Sequence, residues 1–294
     1  MRLNTERTIT IISVIRISIL IVVSTACLFA GMGCSLNDLQ TPERMEKGWV
    51  IILPGIEGRS SWNYELARGL EDGGVRFGIE VYDWGTVVPG GMLINLTDYE
   101  RNRRVATELR DRIVSYRRAH PRRPVHLIGH SGGGGIAVLT AEMLPVEEPV
   151  SSVILLAAAI SPTHDLRNAL DRSQYGVFNY YSPLDVLLRA GTTVAGTIDR
   201  EHAQSAGAVG FTRPAKLTGD DARVYDRKLH QVQWSPEMRH AMHFGGHMDW
   251  THRPFVKQYL APLVTSVSTW RFDDEPLGES TRGRAAAGME SDTP

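Results

Sequence analysis

Apolar residues fall along this chain in two alternating rhythms. Continuous apolar runs occupy 48–55 (GWVIILPG), 124–130 (PVHLIGH) and 151–160 (SSVILLAAAI). Each is short and predicts a strand buried on both faces. Further strands are expected over 77–85 (FGIEVYDWG), where apolar and polar positions alternate, and over 176–182 (GVFNYYS) and 228–234 (KLHQVQW). Between them the spacing turns helical. Val105, Leu109, Ile113 and Tyr116 form one stripe along an exposed helix, with Asp98 placed to cap it. Helices are also expected over 66–74, over 136–144 (IAVLTAEML) and over 251–264, the last interrupted by Pro262, whereas 86–96 reads as a loop. Apolar strands alternating with helices predict an α/β protein with a mostly parallel central sheet and helices on both faces.

The ends of the chain read differently. Arg2, Arg7 and Arg16 precede an uncharged apolar run, 17–33, which stops at Cys34. A basic segment, an apolar segment and small residues before a boundary describe an export signal over 1–33. The run LFAGMGC resembles a bacterial lipoprotein signal, which implies cleavage before Cys34 and a lipid anchor on that residue. Gly31 departs from the aliphatic residue that pattern prefers, and Cys27 is an alternative site. An uncleaved membrane anchor is the competing reading, since about 18 apolar residues can span a bilayer. Each reading exports the body or tethers it to a membrane, with the bacterial envelope the expected location. A polar spacer (34–47) then leads into one domain over 48–270, with 188–227 as an insertion or lid. The polar segment 271–294 is expected to be disordered.

Charge narrows the partners. With 32 basic against 33 acidic residues, the chain carries no electrostatic footprint for nucleic acid. The local cluster 117–123 (RRAHPRR) ends the Asp98 helix, where basic residues complement the helix dipole. Both cysteines precede the body, which therefore has no disulfide and no thiolate metal site.

The chemistry centres on four consecutive glycines, 132–135, directly after Ser131. A flexible linker is excluded because strand and helix flank the run without a polar spacer. A phosphate loop needs Lys followed by Ser or Thr, and the helix here begins Ile136-Ala137-Val138. A dinucleotide fingerprint fails at Val138, where a third glycine or alanine belongs. Gly129-His130-Ser131-Gly132-Gly133 instead matches G-x-S-x-G between strand and helix, a turn that exposes a serine nucleophile. With these residues the chain resembles the α/β-hydrolase superfamily, over about residues 48–268.

The resemblance implies a serine, acid, histidine order along the chain. His247, in a Gly-Gly loop before the closing helix, is the candidate base, and Asp185, after the aromatic strand, the candidate acid. Asp165 is the alternative acid, with Asp199 and Asp249 behind it. Asp249 is read instead as a cap of the closing helix with Thr251. His240 and His243 read as loop or packing residues, and a metal site built from them and His247 is disfavoured by the intervening glycines. Oxyanion donors are expected at the Gly132 N–H and, in the loop LPGIEG, at Ile56 or Glu57. Pro54-Gly55 stands where many relatives have His-Gly.

The expected activity is hydrolysis of a carboxylic ester through an acyl-enzyme, without metal or organic cofactor. Apolar segments at 86–96 and 188–211, with membrane tethering, lean towards a lipid-like acyl ester. The same triad serves thioesterases, acyltransferases and peptidases, and a non-catalytic envelope binding protein is the alternative outside enzymes.

Overall fold

The structure, a computed structural model, describes residues 36–86 and 91–269. The targeting segment, Cys27, Cys34 and the polar tail lie outside the described residues.

Six strands form one sheet: β1 (Trp49–Leu53), β2 (Gly78–Val81), β3 (Val125–His130), β4 (Ser152–Leu156), β5 (Val177–Tyr181) and β6 (Leu229–Gln233). Their order is β2-β1-β3-β4-β5-β6, and every neighbouring pair is parallel. Parallel neighbours need crossovers, which the helices supply. These are α1 (Ser61–Asp72), α2 (Gly91–Thr97), α3 (Tyr99–Ala119), α4 (Gly132–Glu142), α5 (Arg167–Asp171), α6 (Val186–Ala195) and α7 (Gly219–Lys228).

Strand residues alternate between two cores, as the twofold pleat requires. Ile51, Leu53, Leu127 and Leu155 pack with Leu109 and Ile113 of α3 and Ile136 of α4. Val50, Ile52, Ile128 and Ile154 pack with Leu66 and Leu70 of α1 and with Val256 and Leu260 near the C-terminus. Asp98 caps α3 as expected, its Oδ1 accepting the Arg101 N–H at 3.0 Å.

Three stretches depart from the sequence expectation. Residues 91–97 are helical, not loop; seven residues are too few for a helical period to emerge from sequence. The buried Asn95 ties this helix to the chain before it, accepting the Thr86 N–H at 3.0 Å. The apolar run 151–160 leaves the sheet at Leu156, because Ala157 takes φ 48° and turns the chain. The closing helix is not broken at Pro262: a π turn (Val256–Leu260) widens the ladder, and α8 (Ala261–Thr269) follows through the proline. Residues 188–227 hold most of α6, a short helical turn at Ala206–Val209 and α7, which runs directly into β6.

Strand order reverses between β1 and β3, since the chain after β1 goes to one side and the chain after β3 to the other. At such a switch the loops leaving the two carboxyl ends diverge and open a crevice. Leu53 is level with Gly129, so Pro54-Gly55 and Ser131 leave neighbouring strands at almost the same height.

Candidate active site

Ser131 occupies the turn between β3 and α4 with φ 53° and ψ −121°, a backbone conformation unfavourable for any residue with a Cβ. Tertiary bonds hold it on both sides. Its N–H donates to Leu156 O at 2.9 Å, and its carbonyl accepts from the Ala159 N–H at 2.9 Å. The turn is tight enough that a Cβ at Gly129 would lie 2.4 Å from Gly133 O, and the end of β1 packs so closely on it that a Cβ at Gly133 would lie 2.1 Å from Leu53 O. The last two glycines of the run serve packing. A Cβ at Gly134 would meet Ala158 Cβ at 2.6 Å, and one at Gly135 would meet Ile198 at 2.7 Å. Strain of this kind costs about 1–3 kcal/mol. Glycine at 131 removes it and returns part through the greater freedom of the unfolded chain. Ser131→Gly is therefore expected to melt about 2–4 °C above Ser131→Ala, read by differential scanning calorimetry.

The candidate base, His247, and the candidate acid, Asp185, come from two loops. Asp185 follows β5 as the N-cap of α6, is buried, and its Oδ1 accepts the Leu188 N–H at 2.9 Å. Its Oδ2 lies 2.7 Å from His247 Nδ1. A carboxylate accepts only, so the imidazole proton sits on Nδ1 and Nε2 keeps a free lone pair. The loop carrying His247 is fastened from several directions. Ser182 Oγ donates to Gly245 O at 2.8 Å, and Asp249 Oδ2 accepts the N–H groups of Phe244 (2.8 Å) and Gly246 (2.9 Å). Asp249 thus shapes the histidine loop instead of capping the closing helix.

Two neutral histidines brace that loop, and neither role was legible in the sequence. His130 precedes the serine; its Nε2–H donates to His247 O at 3.0 Å and its ring packs 4.9 Å from the His247 ring. Burial, reinforced by His247, pushes its pKa down to about 3. His243 Nδ1 accepts the Gly245 N–H at 3.0 Å, and its ring meets Trp250 edge-on at 3.9 Å. Burial lowers its pKa to about 4. Only the position of His130 inside the serine motif could have drawn attention to it. His130 thus places His247 beside the serine turn, although Ser131 Oγ and His247 Nε2 form no hydrogen bond among the described residues.

The loop after β1 faces the start of α4. A Cβ at Gly132 would fall 2.7 Å from Ile56 Cγ2 and 3.5 Å from Ile56 N. Gly132 opens the helix, so its N–H has no intrahelical acceptor. Two side chains missed in the sequence fix the loop: Trp84 Nε1 donates to Pro54 O at 2.8 Å, and Asn95 Nδ2 to Ile56 O at 2.9 Å. Free backbone N–H groups at a helix N-terminus can stabilise an oxygen that gains negative charge.

The alternative acids lie elsewhere. Asp165 is engaged by Arg167 at 2.6 Å and by the Tyr225 hydroxyl at 3.0 Å. Asp199 pairs with His164 at 3.2 Å and accepts the Thr197 hydroxyl at 2.6 Å. His240 is exposed on a short 3-10 helix, Pro236–Ala241. Cys34 lies outside the described residues.

An all-parallel sheet with a serine elbow after its third strand, and an acid and a histidine after later ones, defines the α/β-hydrolase fold, and this chain has it. A family model for the alpha/beta hydrolase fold matches residues 48–184. No curated protein matches the sequence. Similar solved structures include Aspergillus fumigatus lipase B (11% identity, 87% of this chain and 61% of that chain covered, TM-score 0.49). Est1E from Butyrivibrio proteoclasticus is another (12% identity, 78% and 91% covered, TM-score 0.43). A hydrolase described as CIB-like from Thermoplasma acidophilum is a third (14% identity, 78% and 89% covered, TM-score 0.43).

Proposed function

We propose that this protein is a serine hydrolase that cleaves carboxylic esters. Ser131 is the nucleophile, His247 the base, Asp185 its orienting acid, and the N–H groups of Gly132 and Ile56 the oxyanion donors. The observation that carries this reading is the pairing of a strained serine at a helix N-terminus with an imidazole whose Nδ1 is bonded to a buried carboxylate. His247 Nε2 takes the Ser131 proton as Oγ adds to the ester carbonyl. The carbonyl π electrons move to the oxygen, where the two N–H groups receive the charge. Collapse breaks the bond to the alkoxy oxygen, which leaves with the proton from Nε2. Water repeats the sequence on the acyl-enzyme and releases the acid.

The expected membrane tethering and the apolar surface beside the site support a lipid-like acyl chain. Leu184, Val186, Leu187, Met242 and Phe244 are about half exposed or more; the first three flank Asp185 at the start of α6, and the last two precede His247. A Cβ at Gly245 would sit 3.0 Å from Leu184 Cδ1, so the two loops touch at this patch. A fluorophosphonate probe is expected to label the wild type and not Ser131→Ala, and kcat/KM over esters of graded chain length is expected to rise beyond four carbons. Absence of Ser131-dependent labelling sinks the enzyme reading. Activity confined to short esters sinks the lipid-like one.

The N-terminal pattern supports export with Cys34 as the lipid anchor. Cys34→Ser is expected to move the protein from the membrane to the soluble fraction of the producing cells. Retention in the membrane instead supports an uncleaved anchor.

A further inference from the structure

Three consecutive peptide units join Pro54 to Glu57 in the loop after β1, and all but one of their polar groups have a partner. The Pro54 carbonyl accepts the Trp84 indole N–H at 2.8 Å, the Gly55 carbonyl accepts the Gly58 N–H at 3.0 Å, and the Ile56 carbonyl accepts the Asn95 amide at 2.9 Å. On the donor side, the Glu57 carboxyl folds back over Gly55 and accepts the N–H groups of Gly55 and Glu57. The Ile56 N–H donates to nothing among the described residues.

A trans peptide unit is flat, with its N–H and C=O on opposite sides. No peptide bond among the described residues is cis. Because Gly55 O turns into the loop towards Gly58, the Ile56 N–H of the same unit points out of it. It stands beside the start of α4, where a Cβ at Gly132 would lie 3.5 Å from Ile56 N. The units on either side therefore control its aim. Trp84 holds the unit before it and Asn95 the unit after it, and both side chains are buried. Each is itself fixed. Arg101 Nη2 donates to Trp84 O, Asn102 Nδ2 donates to Asn95 O at 2.9 Å, and Asn95 Oδ1 accepts the Thr86 N–H at 3.0 Å. Any buried donor would satisfy a carbonyl. What singles out these two is that they clamp both units flanking the one N–H left free.

We propose that Trp84 and Asn95 are positioning residues of the hydrolytic reaction, aiming the Ile56 N–H at the oxygen that becomes negative. This rests on the ester-hydrolase reading above. Preorganised donors act on charge that develops in the transition state, so loosening their aim lowers kcat and leaves KM nearly unchanged.

The test uses the full chain carrying Trp84→Phe, which keeps a ring in place and removes the indole N–H, or Asn95→Leu, which keeps the branched shape and removes the amide. Substrates are a butyrate ester and, as inhibitor, an alkyl trifluoromethyl ketone, whose carbonyl carbon takes up Ser131 Oγ and whose oxygen becomes negative. Deleting an oxyanion donor costs about 10²–10³ in kcat, so misaiming one is expected to cost about tenfold or more in each variant. Affinity for the ketone is expected to fall in step with kcat. KM and the pH dependence of kcat/KM are expected to stay as in the wild type, because His247 and Asp185 are untouched. General loosening of the site would move both, and that outcome overturns the proposal. So does a kcat loss without a matching loss of ketone affinity. Wild-type kcat and ketone affinity in either variant remove that residue from the role. Circular dichroism is the folding control, and Trp84→Phe decides the matter if Asn95→Leu does not fold. Failure of wild-type Ser131 to label with the fluorophosphonate overturns the hydrolase reading itself, which separates the two failures.

Discussion

Asp185→Asn is expected to lower kcat/KM for ester hydrolysis about 10⁴-fold while the chain stays folded. The reason lies in two bonds made by one buried carboxylate. Oδ1 receives the Leu188 N–H at the start of α6, and Oδ2 receives the Nδ1–H of His247 at 2.7 Å. An asparagine has one acceptor and one donor end. If its oxygen keeps Leu188, its amide NH₂ faces His247 Nδ1 and drives the ring proton to Nε2. The lone pair that would take the Ser131 proton is then gone. If the amide is reversed, the helix N–H loses its acceptor inside the protein, at a cost of about 1–3 kcal/mol. Either outcome separates this residue from Asp165, whose partners are Arg167 and Tyr225. Steady-state kinetics on one ester, with circular dichroism as the folding control, decide it. A loss below tenfold removes Asp185 from the triad.

His164→Ala is expected to destabilise the fold by about 3–5 kcal/mol, the range for removing one member of a buried ion pair. His164 follows β4 and bridges two carboxylates, with Nε2 2.8 Å from Glu142 and Nδ1 3.2 Å from Asp199. All three side chains are less than one-fifth exposed, so solvent screens them little. Burial works against the charged imidazole, but the hydrogen bonds it donates to Asp199 and Glu142 outweigh that and raise the pKa to about 10. This folded pKa lies above the ordinary histidine value of 6.5, so the folded state binds the proton more tightly than the unfolded state. The stabilisation is complete below pH 6.5 and is lost as pH rises through about 10. Asp199 adds the opposite limb. Burial raises its pKa, yet the bonds from His164, Thr197 and the Ser161 N–H outweigh that and lower it, so its contribution is lost only in acid. Urea denaturation from pH 6 to pH 10 is expected to show wild-type stability falling and that of His164→Ala staying nearly flat. Parallel curves would contradict the ion-pair assignment.

These two networks show how far the sequence carried. The strands were legible because a run such as WVIIL cannot be solvent-exposed on either face, and the parallel arrangement followed from the helices between runs. The serine was legible because its five-residue motif is local, and the clash that demands Gly129 lies within the turn, at Gly133 and Gly134. His247 and Asp185 were legible as types at positions in an order, since glycines and a Ser-Pro turn mark the loops that carry them. Hidden from the sequence was everything that depends on residues far apart meeting. His130 bracing His247 spans 117 positions, Trp84 and Asn95 holding the loop after β1 span 30 and 39, and His164 reaching both Glu142 and Asp199 spans 22 and 35. Short elements were hidden for a different reason, as the seven residues of α2 and the positive φ of Ala157 leave no period to read.

The run of four glycines divides along the same line. Gly132 and Gly133 belong to the serine motif and were marked by it, although what they make room for is the loop after β1 at Ile56 and Leu53-Pro54; Gly134 and Gly135 make room for Ala158 and Ile198, which the sheet and the 188–227 segment bring to the helix. The sequence by itself determined the class of fold, the position of the strained serine and the residue types around it, because these rest on local sterics and on alternation of apolar and polar positions. Tertiary structure alone decided which carboxylate meets His247 and where the Glu57 carboxyl lies, because loop ends far apart in the chain converge only once the parallel sheet has set their heights.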